Sequence, residues 1–244
     1  MSELDIRKAV KERYSKVATS QADCCGGGAR GDDSSLVTLG GDVPVEASEV
    51  NAGCGSPLLL VTPKEGDVVL DLGSGGGIDV FRASQIVGEK GRALGVDATP
   101  EMVWRARETK SKYGDRYANV EFRLGEIERL PIESGAVDYV ISNCVINLSP
   151  DKPAVFRESF RVLKAGGVFA VADITLPEEI PESARNDMDS WSACIAGALV
   201  DSEYRKLLED AGFQEVQIEH VSDSNIGKYP FSYNSSHVKA RKPY

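Results

Sequence analysis

Histidine is almost missing from this chain: there are two in 244 residues, His220 and His237, both late. Neither a histidine-based metal centre nor a serine-type triad finds its parts here. The five cysteines, Cys24, Cys25, Cys54, Cys144 and Cys194, contain no C-x-x-C spacing, so a zinc ribbon or finger has no support. Five thiols cannot all pair, and a structural disulfide framework is not expected. Positive charge is also short. Lys and Arg total 28 against 38 Asp and Glu, a net charge of -10, which opposes the counterion release that drives polyphosphate binding. No nucleic-acid partner is expected. No apolar run approaches the roughly 18–20 residues that span a bilayer, and MSELDIRKAVKERYSKVA lacks the apolar core of a secretory signal. The expected location is the cytoplasm, with no membrane partner. The 41% apolar content is enough for a real core in one large domain with small appendages.

Residues 4–17 place Leu4, Ile6, Val10, Tyr14 and Val17 at helical spacing among basic residues, the pattern of an amphipathic lid or packing arm. From Cys24 to Gly41 the composition collapses to Gly, Asp, Ser and Cys, which predicts a mobile loop. Beyond Leu58 the pattern alternates. Strands are predicted at Val68–Leu72, Arg92–Val96, Val120–Leu124, Val137–Ser142 and Val168–Asp173, with helices at Ile78–Val87, Pro100–Tyr113 and Pro153–Leu163 between them, the last stopped by Ala165-Gly166-Gly167. Such alternation predicts an α/β fold with a doubly wound, mostly parallel sheet. A helix near 201–211 and a strand from Glu215 to Val221 follow. Three regions result: an N-terminal helix and cysteine-containing arm (1–57), the core (58–175), and a C-terminal extension that completes the pocket and the sheet (176–244).

The strongest local signal is Val69-Leu70-Asp71-Leu72-Gly73-Ser74-Gly75-Gly76-Gly77, an apolar strand running into glycines and then a helix. It lacks the Gly-Lys-Ser/Thr end of a P-loop and departs from the G-x-G-x-x-G dinucleotide fingerprint. Gly73 and Gly75 allow a tight turn and a close backbone approach to a ligand, and Asp71 is placed to meet that ligand's amino group. Asp97 ends the second strand, where such folds hold ribose hydroxyls, although a helix cap is the plainer use of it. Gly125-Glu126-Ile127 follows the third strand. There Glu126 meets an adenine or is simply a surface charge, and Ile127 packs on the ring.

These motifs resemble, in order, those of the class I S-adenosylmethionine-dependent methyltransferases, over residues 58–175. The resemblance implies donor binding by Asp71, Gly73, Gly75, Asp97, Ala98, Glu126, Ile127 and Asn143. A second, more specific resemblance covers nearly the whole chain. The stretches Ser142 to Lys152 and Cys194 to Leu199 are similar to those of the arsenite methyltransferases. That resemblance implies that Cys144 and Cys194 bind trivalent arsenic, with Cys54 and one of Cys24 or Cys25 joining the cycle. Arsenite or its thiol conjugate is then the substrate, S-adenosylmethionine the methyl donor, and an external thiol or dithiol of thioredoxin or glutathione type the reductant. The chemistry suits the residues, since soft thiolates prefer thiophilic centres. Each cysteine alone also reads as a small buried hydrophobe, and Trp104 and Trp191 read as core or pocket wall. Two other functions remain open at this stage. One is methylation of a quinone precursor or another small organic acceptor. The other is metalloid binding without turnover.

Overall fold

A computed structural model describes residues 2–20, 43–48, 55–188, 191, 194–224 and 231–244. Cys24, Cys25, Cys54 and the glycine-rich loop lie outside the described residues. Helix α1 (Glu3–Ser20) buries Ile6, Val17 and Ala18 and half-buries Val10 and Tyr14, whereas Leu4, expected on the same stripe, is 75% exposed. After the short α2 (Val45–Ser48), strand β1 (Val68–Leu72) is apolar on both faces, as a central parallel strand must be. It is followed by α3 (Ile78–Val87), β2 (Arg92–Asp97), α4 (Pro100–Lys112), β3 (Val120–Leu124) and β4 (Val137–Asn143). Proline opens α4 at a position where its missing N–H costs nothing. Helix α5 (Lys152–Val162) begins on an Asp151 side chain that accepts from the Ala154 N–H.

Strand β5 (Leu163–Leu176) starts directly after α5. The Gly166-Gly167 pair is therefore inside a strand and not the helix stop expected from its composition. Pairing with β4 jumps from Val137↔Leu163 to Tyr139↔Val168, so an irregularity in the ladder absorbs the glycines. The extension adds α6 (Glu182–Arg185), β6 (Leu199–Val200), α7 (Asp201–Asp210), β7 (Gln214–Ser224) and β8 (Tyr233–Arg241).

The sheet runs β3-β2-β1-β4-β5-β8-β7, with β6 pairing β5. Its first five strands are parallel, and β8 lies antiparallel between β5 and β7. Strand β8 was not foreseen, because its inward positions include Asn234 and Ser236. The Ser236 hydroxyl is satisfied by Thr175 Oγ1 at 2.8 Å. Alternate residues of each strand feed opposite cores. Leu70, Val140 and Phe169 meet Phe156 and Tyr204 on one face, while Val69, Ile141 and Ala170 share the other with Phe81, Val103 and Tyr117. Successive strands add outward from β1 in one direction and from β4 in the other. A crevice opens between their carboxyl ends, where open sheets bind ligands. No described helix is long and apolar enough to cross a membrane.

Candidate active site

One crevice at that reversal is lined by all eight residues expected to bind the donor. Asp71, Gly73 and Gly75 come from the end of β1, Asp97 and Ala98 from the end of β2, Glu126 and Ile127 from beyond β3, and Asn143 from the end of β4. Gly73 has φ +65, and a Cβ there would lie 2.1 Å from the Val145 side chain, so only glycine lets the two strand ends close on each other. The Asp97 carboxylate accepts from the Gly75 N–H (2.9 Å) and the Thr99 N–H (2.8 Å). It ties the glycine turn to Thr99, and Thr99, not Asp97, is the N-cap of α4. The Thr99 side chain also bonds to it, which leaves part of the carboxylate's acceptor capacity for a ligand hydroxyl.

The crevice is electrostatically loaded. Burial, then the neighbouring Asp79 and Asp97, push the Asp71 carboxyl well above the usual carboxylate range. Asp97 is also raised by burial, against the pull of its two backbone donors. Burial raises Asp79, with Arg82 at 3.4 Å pulling the other way. Asp79 was missed in the sequence because it sits in the first turn of a helix, where acidic residues are common for local reasons.

Helix α1 lies over this crevice. Arg7, Val10, Lys11 and Tyr14 line it. Lys11 Nζ is 2.5 Å from Glu126, and Arg7 is 2.9 Å from Glu128 and 3.4 Å from Glu126. Glu126 is therefore an anchor for the covering helix as well as a wall of the crevice.

Cys144, immediately after β4, lines the same crevice. Its backbone N–H donates to the Ala172 carbonyl at 2.8 Å, and the Cys194 Sγ donates to the Cys144 carbonyl at 2.7 Å. Both cysteines have left-handed backbones, φ 57 and 65, two of the three such non-glycine residues among those described. Such conformations gather where function requires them. An apolar collar of Leu148, Ile174, Leu176, Ile180 and Ile195 surrounds the pair. Cys144 is disulfide-bonded. The bond sits at a ligand crevice, beside a second cysteine, and not in a scaffold. Cys24, Cys25 and Cys54 lie outside the described residues. Gly55, which follows Cys54 in sequence, gives its carbonyl to the side-chain amide of Asn143, which precedes Cys144. Trp191 is half-buried, with its indole N–H on the Leu148 carbonyl, whereas Trp104 is exposed on the surface and is not core.

A parallel sheet with one antiparallel strand near its edge, and a glycine turn facing an acidic crevice, define the class I methyltransferase architecture. The family described as a methyltransferase domain matches residues 63–212. An arsenite methyltransferase from Halobacterium salinarum is 40% identical over 98% of this chain and 67% of its own length. The human arsenite methyltransferase is 37% identical over 87% of this chain and 59% of its own. The crystal structure of an arsenic(III) S-adenosylmethionine methyltransferase from Chlamydomonas reinhardtii superposes with a TM-score of 0.69 at 34% identity. That match covers 86% of this chain and 73% of the other. This chain belongs to the arsenite methyltransferase family. It spans about three fifths to two thirds of the length of those two curated relatives.

Proposed function

We propose that this chain transfers methyl groups from S-adenosylmethionine to trivalent arsenic held by cysteine thiolates, giving methylated arsenicals and so detoxifying arsenite. The observation that carries the reading is the placement of Cys144. It lines the crevice whose other walls are the glycine turn and Asp97, with Cys194 hydrogen-bonded to its backbone. Cys54 is the third thiol in this reading; it precedes Gly55, whose carbonyl accepts from the Asn143 side-chain amide.

The residues fit the donor. Gly73 lets the ends of β1 and β4 close into one crevice where a Cβ would strike Val145, Asp97 offers acceptor capacity to ribose hydroxyls, and buried Asp71 offers a carboxylate to an amino group. When bound, the donor supplies an already activated methyl group on a sulfonium. The protein's work is then to hold the arsenic lone pair in line with that methyl, and to exclude water by closing α1 over the crevice. No general base is called for.

In the transfer, arsenic forms a bond to carbon while the pair in the carbon–sulfur bond stays with the donor's sulfur. Arsenic is left oxidised by two electrons. Two thiolates return those electrons by leaving arsenic together as a disulfide, which an external thiol or dithiol of glutathione or thioredoxin type reduces by exchange. The disulfide at Cys144 accords with such a cycle. The three regions divide the work: the arm of 1–57 covers and supplies thiols, 58–175 binds donor, and 176–244 brings Cys194 and extends the sheet. A cytoplasmic location suits a cycle that depends on reduced thiols.

The test is incubation with arsenite, S-adenosylmethionine and a dithiol, with chromatographic speciation of the arsenic. Methylated arsenicals appearing in step with S-adenosylhomocysteine are expected. Arsenite binding without S-adenosylhomocysteine would overturn the reading.

A further inference from the structure

Cys144 and Cys194 ride on two separate turns, and both hold left-handed backbones that persist only where the surroundings over-determine them. Three contacts staple the turns together. The Cys194 Sγ reaches the Cys144 carbonyl (2.7 Å), and the Trp191 indole N–H donates to the Leu148 carbonyl (3.3 Å). Gly197 also sits so close that a Cβ there would be 2.0 Å from the Asn147 carbonyl oxygen. Buried Lys152 reinforces the second staple, with its ammonium 5.3 Å over the Trp191 ring and donating to the Ser149 carbonyl at 2.8 Å.

All three staples fall on residues 144, 147 and 148, so the Cys144 turn must itself be fixed to the sheet. Asn147 fixes it. Its side chain is fully buried, and its amide donates both hydrogens to β5, one to Asp173 Oδ1 (2.8 Å) and one to the Ile174 carbonyl (2.8 Å). Asp173 Oδ1 is held in turn by the Ile174 N–H at 3.0 Å. Asn147, Asp173 and Ile174 are not among the residues that line the crevice.

We propose that Asn147 is the positioning residue of the dithiol. By pinning the Cys144 turn to Asp173, and by offering its own carbonyl as the seat for Gly197, it sets the separation of the Cys144 and Cys194 sulfurs. Two thiolates bind one thiophilic centre only when both reach a common point, so this pin acts on affinity for that centre and not on the donor. The inference rests on the proposed reading of Cys144 and Cys194 as the pair that holds arsenic.

The test uses the full chain, reduced with a phosphine that does not compete for arsenic. Cadmium(II) and arsenite are titrated separately, reading the ultraviolet absorption of the sulfur bonds, alongside donor calorimetry and steady-state kinetics. Asn147→Ala is expected to weaken both thiophilic probes by roughly 10–100-fold, as loss of outer partners of ligands does. The KM for arsenite should rise more than kcat falls, with donor affinity unchanged. Asn147→Asp should bind the probes at least as poorly, because it sets a carboxylate against Asp173. Adding Asp173→Asn to it, which restores a donor–acceptor pair with the roles exchanged, should recover part of the affinity. Gly197→Ala should mimic the loss by lifting the Cys194 turn from its seat.

Parent-like probe affinity in folded Asn147→Ala would overturn the proposal, as would an equal loss of donor affinity. If Asn147→Ala does not fold, Gly197→Ala and the exchanged pair decide: parent-like affinity in the first, or no recovery in the second, overturns it. If the parent binds cadmium through both thiolates but forms no methylated arsenic, the functional reading fails while this inference stands.

Discussion

On the glycine-turn side of the crevice, Asp71 and Asp97 stand at the ends of parallel strands, and the sheet ladder fixes them. On the thiol side, Cys144 and Cys194 stand on turns held by a few contacts: the Asn147 side chain on Asp173, the Trp191 indole on the Leu148 carbonyl, and the Gly197 backbone against the Asn147 carbonyl. The first half is built by backbone pairing and so tolerates change away from the turn itself. The second is built by a few directed contacts between β5, one loop of the core and one loop of the extension, so single substitutions should reach it from outside the crevice.

The largest effect should come from the thiols themselves. Cys144→Ser and Cys194→Ser are each expected to lower arsenite methylation beyond the roughly 10–100-fold that outer partners of ligands command. A hydroxyl is a hard, poorly ionised substitute for thiolate. Donor affinity by calorimetry should hold, and a parallel fall in donor affinity would erase the distinction between the halves.

Next in size is Asp97→Ala, expected to weaken donor binding by about 1–3 kcal/mol through lost charge-assisted hydrogen bonds. It also orphans the Gly75 and Thr99 N–H groups. Arsenite affinity, read by the absorption of the arsenic–sulfur bonds, should not move. Unchanged donor affinity in a folded variant would remove Asp97 from the site.

A smaller and graded effect is expected with pH. Burial pushes the Asp173 carboxyl up to about 7, against the pull of the Ile174 N–H and Lys152. Below the usual carboxylate value the folded and unfolded chains are equally protonated there, and the group costs nothing. As pH rises toward 7 the unfolded chain ionises first, so stability is lost across that interval. Lys152, pushed down to about 8 by its own burial, has a cost that is absent above its ordinary value and complete below 8, so it stays level over the same interval. Asp173→Asn should therefore gain on the parent by on the order of 2–4 kcal/mol between pH 4 and pH 8 in chemical denaturation. A constant difference across pH would show that Asp173 carries no such burden.

The glycine-turn half of the crevice was legible in the sequence because each of its signals is local. An apolar strand meeting glycines, and a carboxylate closing the next strand, can be read within a few residues. The crevice indeed gathers Asp71, Gly73, Gly75, Asp97 and the others. The cysteines stood out by residue type, and by resemblance for their pairing. Their left-handed backbones were not legible, because cysteine does not announce a positive φ as glycine does. Three other features escaped for particular reasons. Strand β8 turns polar Asn234 and Ser236 inward. The Gly166-Gly167 pair imitates a helix stop while sitting in a strand. The grip of Arg7 and Lys11 on Glu126 and Glu128 spans more than a hundred residues, so it leaves no mark on any local window.

Three carboxyls are buried at the crevice, and Asp79 and Asp97 both oppose the ionisation of Asp71, which makes the crevice responsive to the charge of what enters it. In the proposed reaction the arriving donor carries a positive sulfur, and its approach favours the ionised form of those acids. Once the methyl has gone, the same sulfur is a neutral thioether, and the acids face each other again without the positive charge between them. In the proposed reaction, charge alone then favours the loaded carrier over the spent one in this pocket.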